Sequence, residues 1–307
     1  MFMVFSNKAG RFLVVCALLL AAQSVVSQEL EPRRWTHLPV GANFFGAGYV
    51  YSDSDIAFNP ALQIEQATGE VHTLALSYVR VLDVFGKSGR IDVLLPYSNG
   101  RWEGLLEGEP ASTRRDGFND PRFRFAVNLF GSPAQRGDAF RKYKVNTIVG
   151  AAVEVVAPWG DYQKDKLINL GNNRWVIRPQ LGVVHNWDHW AVEFTGSVWF
   201  YTDNDDFRGS TREQDVLYSG QTHVIYTFKP GLWASLSAAY GGGGESKIDG
   251  VRVGDQIGKS LLAASVGFPI TRRQGMKIAY IRGETKKDNG SDDDRFLVSY
   301  SVMWGGN

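Results

Sequence analysis

Apolar and polar residues alternate with a period of two through most of the chain, which predicts β-strands. The pattern is clearest at residues 122–129, where Arg122, Arg124, Ala126 and Asn128 alternate with Phe123, Phe125, Val127 and Leu129. Counting this one, about twelve segments come close to the 9 to 11 residues that a tilted strand needs to cross a bilayer. The other segments lie near residues 44–51, 71–82, 90–97, 146–155, 175–183, 192–200, 218–226, 232–240, 261–270, 276–282 and 295–304.

Two folds fit this alternation, because a soluble sandwich turns the apolar set inward and an outer-membrane barrel turns it outward to lipid. Connection lengths favour the barrel, since long and short connections alternate as outer loops and periplasmic turns do. The long connections are residues 52–70, 98–117, 160–173, 203–215, 241–259 and 283–294; the short ones are 83–89, 131–141, 186–189, 229–231 and 271–275. The sequence therefore predicts an all-β, transmembrane antiparallel β-barrel of about twelve strands, with long outer loops and short periplasmic turns.

The N-terminal residues predict a secretory signal peptide at residues 1–27. Lys8 and Arg11 precede an apolar run, and no acidic residue comes before Glu29. That run has about 11 residues and is too short for a membrane-spanning helix, which needs roughly 20. The predicted organisation is a signal peptide at 1–27, a periplasmic N-terminal segment at 28–41 and a barrel at 42–304. We expect the mature protein in the bacterial outer membrane.

Net charge and cysteine content exclude some classes of partner and of reaction. Removing residues 1–27 takes two basic groups, so 33 minus 2 leaves 31 Lys and Arg against 32 Asp and Glu, a net charge of −1. This balance predicts no nucleic-acid partner. Cys16 is the one cysteine of the sequence and lies within the signal peptide, so the mature chain has no disulfide and no thiol chemistry.

Several blocks of the sequence resemble one transporter family. They are EPRRWTHLPVGANF at 31–44, DVFGKSGRIDVLLPY at 83–97, GFNDPRFRFAVNLFG at 117–131, KLINLGNNRWVIRPQ at 166–180, and residues 201–235. Together they are similar to the family described as putative MetA-pathway of phenol degradation, over nearly the whole mature chain. The resemblance implies an outer-membrane barrel that moves hydrophobic or aromatic compounds, phenol-like ones among them, and it implies no catalytic residue.

Inward-facing polar residues are the candidate functional group in such a barrel. We call this group the lumen set: Arg90, Asp92, Arg122, Arg124, Glu154, Arg178, Gln180, Glu193, Gln221 and His223. Two interpretations stay open, namely a charge network that fills and stiffens a narrow barrel, and a constriction that selects solutes. The expected partners are small apolar or aromatic solutes and outer-membrane lipids, and the sequence does not indicate an oligomeric state.

Two other function classes are alternatives to a channel for passive uptake. A structural or adhesin-type barrel would act through its outer loops. An outer-membrane lipid hydrolase or acyltransferase would need Ser, His and an acid close together, with Ser77 or Ser219 meeting His72 or His223. No sequence motif marks a nucleophile, so we expect no enzyme activity, no catalytic residue and no cofactor.

Two acidic clusters have the oxygen ligands that divalent cations prefer. They are Asp203, Asp205 and Asp206, and Asp292, Asp293 and Asp294. Neither cluster has the spacing of a calcium loop, and solvated loop tips account for both. The sequence therefore predicts no metal site.

Overall fold

A computed structural model of the chain describes residues 30–58 and 64–306, so the predicted signal peptide lies outside the described residues. The described strands are β1 (Asn43–Ala57), β2 (Ile64–Val84), β3 (Lys87–Leu106), β4 (Glu109–Phe118), β5 (Arg122–Phe130), β6 (Thr147–Val156), β7 (Val176–Trp187), β8 (Trp190–Tyr201), β9 (Asn204–Phe207), β10 (Ser210–Gln214), β11 (Leu217–Lys229), β12 (Leu232–Gly243), β13 (Ser246–Ile248), β14 (Val251–Arg252), β15 (Ile257–Pro269), β16 (Gln274–Thr285) and β17 (Gly290–Trp304). A short helix, α1 (Gly137–Lys142), lies between β5 and β6.

Antiparallel pairing closes twelve of these strands into a barrel. Their order around the barrel is β1, β2, β3, β5, β6, β7, β8, β11, β12, β15, β16 and β17. The first and last strands pair along their whole lengths, with Asn43 opposite Trp304 and Ala57 opposite Gly290. This pairing closes the sheet at its seam, as a membrane barrel requires. The predicted all-β antiparallel barrel of about twelve strands is confirmed.

Side-chain exposure shows which face of each strand is apolar. In β5 the Phe125 side chain is 45% exposed, whereas its neighbour Arg124 is 3% exposed. In β7, likewise, the apolar Leu181 is exposed and the polar Gln180 is buried. Apolar residues outside and polar residues inside are the arrangement expected in lipid, so the exposure pattern favours the membrane barrel over a sandwich.

Aromatic side chains cluster where the strands end. At the short-turn end, the Tyr226 ring lies 4.8 Å from both Trp190 and Phe228, measured between ring centroids. At the long-loop end, Trp159 lies 6.1 Å from Trp175. Aromatic rings at both ends of the apolar band match the interfacial girdles of outer-membrane barrels.

Several connections that the sequence predicts as long loops contain further strands. Residues 98–117 form most of the β3–β4 hairpin, and residues 203–215 contain β9 and β10. Strands β9, β10, β13 and β14 form a separate four-stranded sheet at the long-loop end, which buries Phe207 against Ile248. The strands continue beyond the bilayer because pairing there still gives the backbone N–H and C=O groups hydrogen-bond partners.

One wall of the barrel is interrupted at residues 119–121. Strand β3 pairs with β5 over residues 89–94 and with β4 over residues 97–106, so β4 and β5 share the place of one strand. The connection between β6 and β7 covers the break. The Asp120 carboxylate accepts hydrogen bonds from Gly160 N at 2.9 Å and from Asn172 N at 2.7 Å, which holds that connection against the wall.

No helix in the described part of the chain is long and apolar enough to cross a membrane.

Candidate functional site: the barrel lumen

The described part of the N-terminal segment, residues 30–41, enters the lumen. The Trp35 side chain is 1% exposed, and its Nε1 donates to Thr195 Oγ1 of β8 at 2.8 Å. The ring occupies space that exists because two inward-facing positions are glycine. A Cβ at Gly150 would lie 2.2 Å from Trp35 Cε3, and one at Gly182 would lie 1.9 Å from Trp35 Nε1. Residues on β6, β7 and β8 therefore form a slot for this indole.

Arg34 carries a positive charge from the N-terminal segment into the barrel. Its guanidinium lies 2.8 Å from Glu31 and 3.6 Å from Glu154, and it donates to Gln180 Oε1 at 3.4 Å. Its backbone N–H donates to the Glu193 carboxylate at 3.2 Å. One residue of the segment therefore contacts three inner strands, which fixes the segment in place.

The structure brings most of the lumen set together. The alternating burial of the strands turns every member of the set toward the lumen. Asp92 lies 3.2 Å from Arg90 and 3.1 Å from Arg124, and Arg124 Nε donates to Gln180 at 2.8 Å. A second ion pair joins Arg178 and Glu154 at 3.4 Å. These contacts link neighbouring strands across one half of the barrel.

Gln221 and His223 extend the lumen set onto β11. His223 Nδ1 hydrogen bonds with Ser237 Oγ at 2.7 Å, and the histidine is fully buried. Ser219, one of the predicted candidate nucleophiles, instead accepts from Trp199 Nε1 at 3.2 Å. The structure therefore pairs His223 with a serine that the sequence analysis did not consider.

Most of the lumen set is shielded from solvent. Arg124, Glu154, Arg178, Gln180, Glu193, Gln221 and His223 are buried, and the Arg90 and Asp92 side chains are 16% and 21% exposed. Buried charges are tolerated when they are paired and hydrogen bonded, as most of these are. This geometry supports a network that fills and stiffens the barrel, whereas a direct role in solute selection stays a prediction.

Part of the opposite lumen wall, on β1, β2 and β17, has small, uncharged side chains. Gly46 lies opposite both Ser301 and Ser77, and Gly48 lies opposite both Ser299 and Ala75. Ser301 is exposed, and Ala75, Ser77 and Ser299 are half-buried although they face inward. We call these six residues the neutral wall. The lumen set was predicted from charge at inner positions and so does not include these residues; their sequence signal is small residues alternating with apolar ones.

Strand alternation separates the members of one acidic cluster. Asp293 faces inward and pairs with Lys259 and Arg295, while Asp294 faces outward and lies 2.8 Å from Arg282. These carboxylates already have cationic partners and point to opposite sides of the sheet. Within residues 30–58 and 64–306, no group of three or more His, Cys, Asp or Glu side chains is arranged to hold a metal ion.

Comparison with known proteins adds to this geometry. A family model described as Putative MetA-pathway of phenol degradation matches residues 54–289. The chain belongs to this family. A search of curated proteins by sequence returned no match.

Among solved structures, the COG4313 outer membrane channel from Pseudomonas putida F1 is similar over 90% of this chain and 100% of that chain, with 26% identity and a TM-score of 0.76. The transport unit of the autotransporter AIDA-I from Escherichia coli matches over 97% of this chain and 99% of that chain, with 9% identity and a TM-score of 0.53. The second likeness shows the fold alone. The likeness to the channel, together with the apolar outer face, confirms the predicted bacterial outer-membrane localisation.

Proposed function

We propose that the protein is a passive outer-membrane channel for small hydrophobic or aromatic compounds, phenol-like molecules among them. The observation that carries this proposal is a stretch of the lumen wall without charge. The N-terminal segment occupies the part of the lumen next to the lumen set, through Arg34 and Trp35. The neutral wall carries no charge and is partly accessible, so it is the surface along which an uncharged solute meets the smallest desolvation penalty.

The size of the barrel supports the same solute class. A barrel of twelve strands is narrower than the porins of 16 to 18 strands that leave a wide aqueous channel. Its lumen also holds the Trp35 ring and the paired charges of the lumen set. The remaining space suits small molecules, in agreement with the family description and with the likeness to an outer-membrane channel.

Uptake into intact cells tests the proposal. Cells with the wild-type protein should take up phenol and small aliphatic compounds faster than cells with a deletion. A bulky residue on the neutral wall, Ser299→Trp, should lower uptake to the level of the deletion because it blocks the path. The matched control is Val298→Trp, since Val298 is the next residue along β17 and its side chain is 42% exposed on the lipid side; it should leave uptake unchanged.

If the deletion leaves the uptake of every tested apolar solute unchanged, the channel proposal fails and the structural or adhesin-type barrel takes its place. Equal effects of Ser299→Trp and Val298→Trp would separately reject the neutral wall as the path.

The hydrogen bond between His223 and Ser237 is the observation that favours the hydrolase alternative. A serine activated by a histidine is the nucleophile of many hydrolases. His223 and Ser237 are both buried, however, so an acyl substrate has no direct access to them. Hydrolysis of an acyl ester that disappears in His223→Ala would favour a hydrolase; unchanged hydrolysis would leave the channel as the function.

A further inference from the structure

Three branched aliphatic side chains face the lumen on the long-loop side of the neutral wall. Val50 of β1 lies opposite Leu297 of β17, two residues beyond the inward-facing Gly48, so both side chains point inward. Ile281 of β16 lies opposite Arg295, two residues before Leu297, and therefore points inward as well. We call Val50, Leu297 and Ile281 the apolar patch.

The apolar patch is partly accessible from the lumen. All three side chains are half-buried, and the residues on either side of them in each strand point to the opposite face of the sheet. Their accessible surface therefore faces the inside of the barrel. Val50 and Leu297 also lie directly beside Gly48 and Ser299 of the neutral wall, so the patch and the wall form one continuous surface.

An apolar surface inside an outer-membrane barrel is unfavourable while it contacts water. The interiors of such barrels are ordinarily polar. Each Å² of apolar surface that stays in water forgoes roughly 25 cal/mol of stabilisation. An apolar solute that covers the patch recovers this free energy, which makes such a solute the complementary ligand.

The N-terminal segment covers the apolar surface next to the patch. Leu30 packs on Leu261 and Ala263 of β15, and Ile281 lies at the edge of this contact. Leu30 and Leu261 are 8% and 1% exposed. An apolar side chain therefore already lies against this part of the inner wall, while the other two members of the patch do not belong to the cluster and stay partly accessible.

The charged groups at the outer edge of the patch are paired. Arg295 Nε lies 2.6 Å from a carboxylate oxygen of Asp293, and Lys259 contacts the other oxygen of the same carboxylate. Because these cations already have a partner, a charged solute gains little from them. The patch therefore favours an uncharged solute.

The dimensions of the patch limit the size of the solute. Neighbouring strands lie about 4.8 Å apart, so β1, β17 and β16 together span about 10 Å across the sheet. Ile281 lies two residues further along the strands than Val50 and Leu297, which adds about 7 Å in the strand direction. A single six-membered ring with a short substituent covers such an area.

We propose that the apolar patch is a binding site for one uncharged six-membered ring, of which toluene is an example. The ring contacts Val50, Leu297 and Ile281, and it reaches them along the neutral wall. Binding at the patch does not require transport, but the role of the patch as a station on the path of the solute rests on the proposed function.

Binding of 4-fluorotoluene to the folded barrel in lipid nanodiscs, followed by fluorine NMR with empty nanodiscs as background, tests this proposal. Leu297→Asn nearly keeps the size of the side chain but makes it polar. Its affinity should fall by about tenfold or more, because the ring strips water from the amide without giving it a partner. Val50→Thr exchanges one methyl group for a hydroxyl and should weaken binding several-fold for the same reason.

Val298→Thr is the matched control for Val50→Thr. It makes the same exchange at the residue next to Leu297, whose own side chain is 42% exposed on the lipid side, so the affinity should not change. The heat-induced gel shift shows that each variant is folded, and Val50→Thr keeps the shape of the side chain if Leu297→Asn fails to fold.

The proposal is overturned if the folded variants of the patch bind 4-fluorotoluene like the wild type. It is also overturned if the wild type shows no binding above the background, as when a lipid chain covers the patch, or if the straight-chain 1-octanol displaces the ring at equal concentration. A barrel that binds the ring but takes up no solute in cells would reject the channel and leave this site standing. Normal uptake with unaltered binding in both variants would reject the site and leave the channel.

Discussion

The indole of Trp35 fits against the protein because residue 182 is glycine, where a Cβ would lie only 1.9 Å from Trp35 Nε1. Glycine is usually unfavourable inside a strand, because it has no side chain to pack and loses more backbone entropy on folding than other residues do. Its presence in β7 is explained by the close approach of the ring. The position of the N-terminal segment therefore depends on a residue almost 150 positions later in the chain.

Gly182→Val should expel Trp35 from its slot and loosen the N-terminal segment. The expected results are a higher single-channel conductance in planar bilayers and faster tryptic cleavage after Arg33 and Arg34 in the folded protein. Gly196→Val is the control, because a Cβ at Gly196 meets nothing within 4 Å. Unchanged conductance and cleavage in Gly182→Val would show that the slot does not hold the segment.

Glu154→Gln should destabilise the barrel by about 3 to 5 kcal/mol, because it removes a carboxylate that contacts both Arg34 and Arg178 in a buried site. The measurement is urea unfolding from lipid vesicles, followed by tryptophan fluorescence. Glu103→Gln is the control. Glu103 pairs with Arg101 where both side chains are about half exposed, so its loss should cost less than about 1 kcal/mol. Equal losses in both variants would contradict a structural role for the inner network.

Phe125→Arg should hinder assembly, since a lipid-facing arginine near the bilayer centre costs on the order of 2 to 4 kcal/mol. Folding into vesicles, scored by the fraction of protein that shifts on a gel after heating, is the measurement. Ser301→Arg places the same residue on an exposed, inward-facing position and should assemble normally. If Phe125→Arg assembles as well as Ser301→Arg, the assignment of the outer face is wrong.

Cysteine labelling should establish how the barrel is oriented. Asp205→Cys lies between β8 and β11 at the long-loop end and should react with an impermeant thiol reagent on intact cells. Lys229→Cys lies at the short-turn end and should react only after the cells are opened. Both positions are exposed on the protein, so a difference in labelling reports the side of the membrane on which each one lies. The opposite labelling would reverse the predicted topology.

The sequence by itself determined the twelve barrel strands and which residues share a face of each strand. Side chains of a strand point alternately to its two faces, so the spacing of Arg122, Arg124 and Phe125 was enough to assign them to opposite faces. The alternating connection lengths and the family resemblance added the outer-membrane barrel, because closed barrels are the β-structures that leave no unpaired edge in lipid.

The tertiary structure alone decided what fills the lumen. Trp35 hydrogen bonds with Thr195, 160 positions away, and Arg34 contacts Glu154, and no local pattern marks either pairing. The separate four-stranded sheet likewise brings Arg212 of β10 close to Arg174, which no local pattern marks. Such contacts depend on how the closed barrel places distant strands side by side, whereas strand alternation depends only on neighbouring residues.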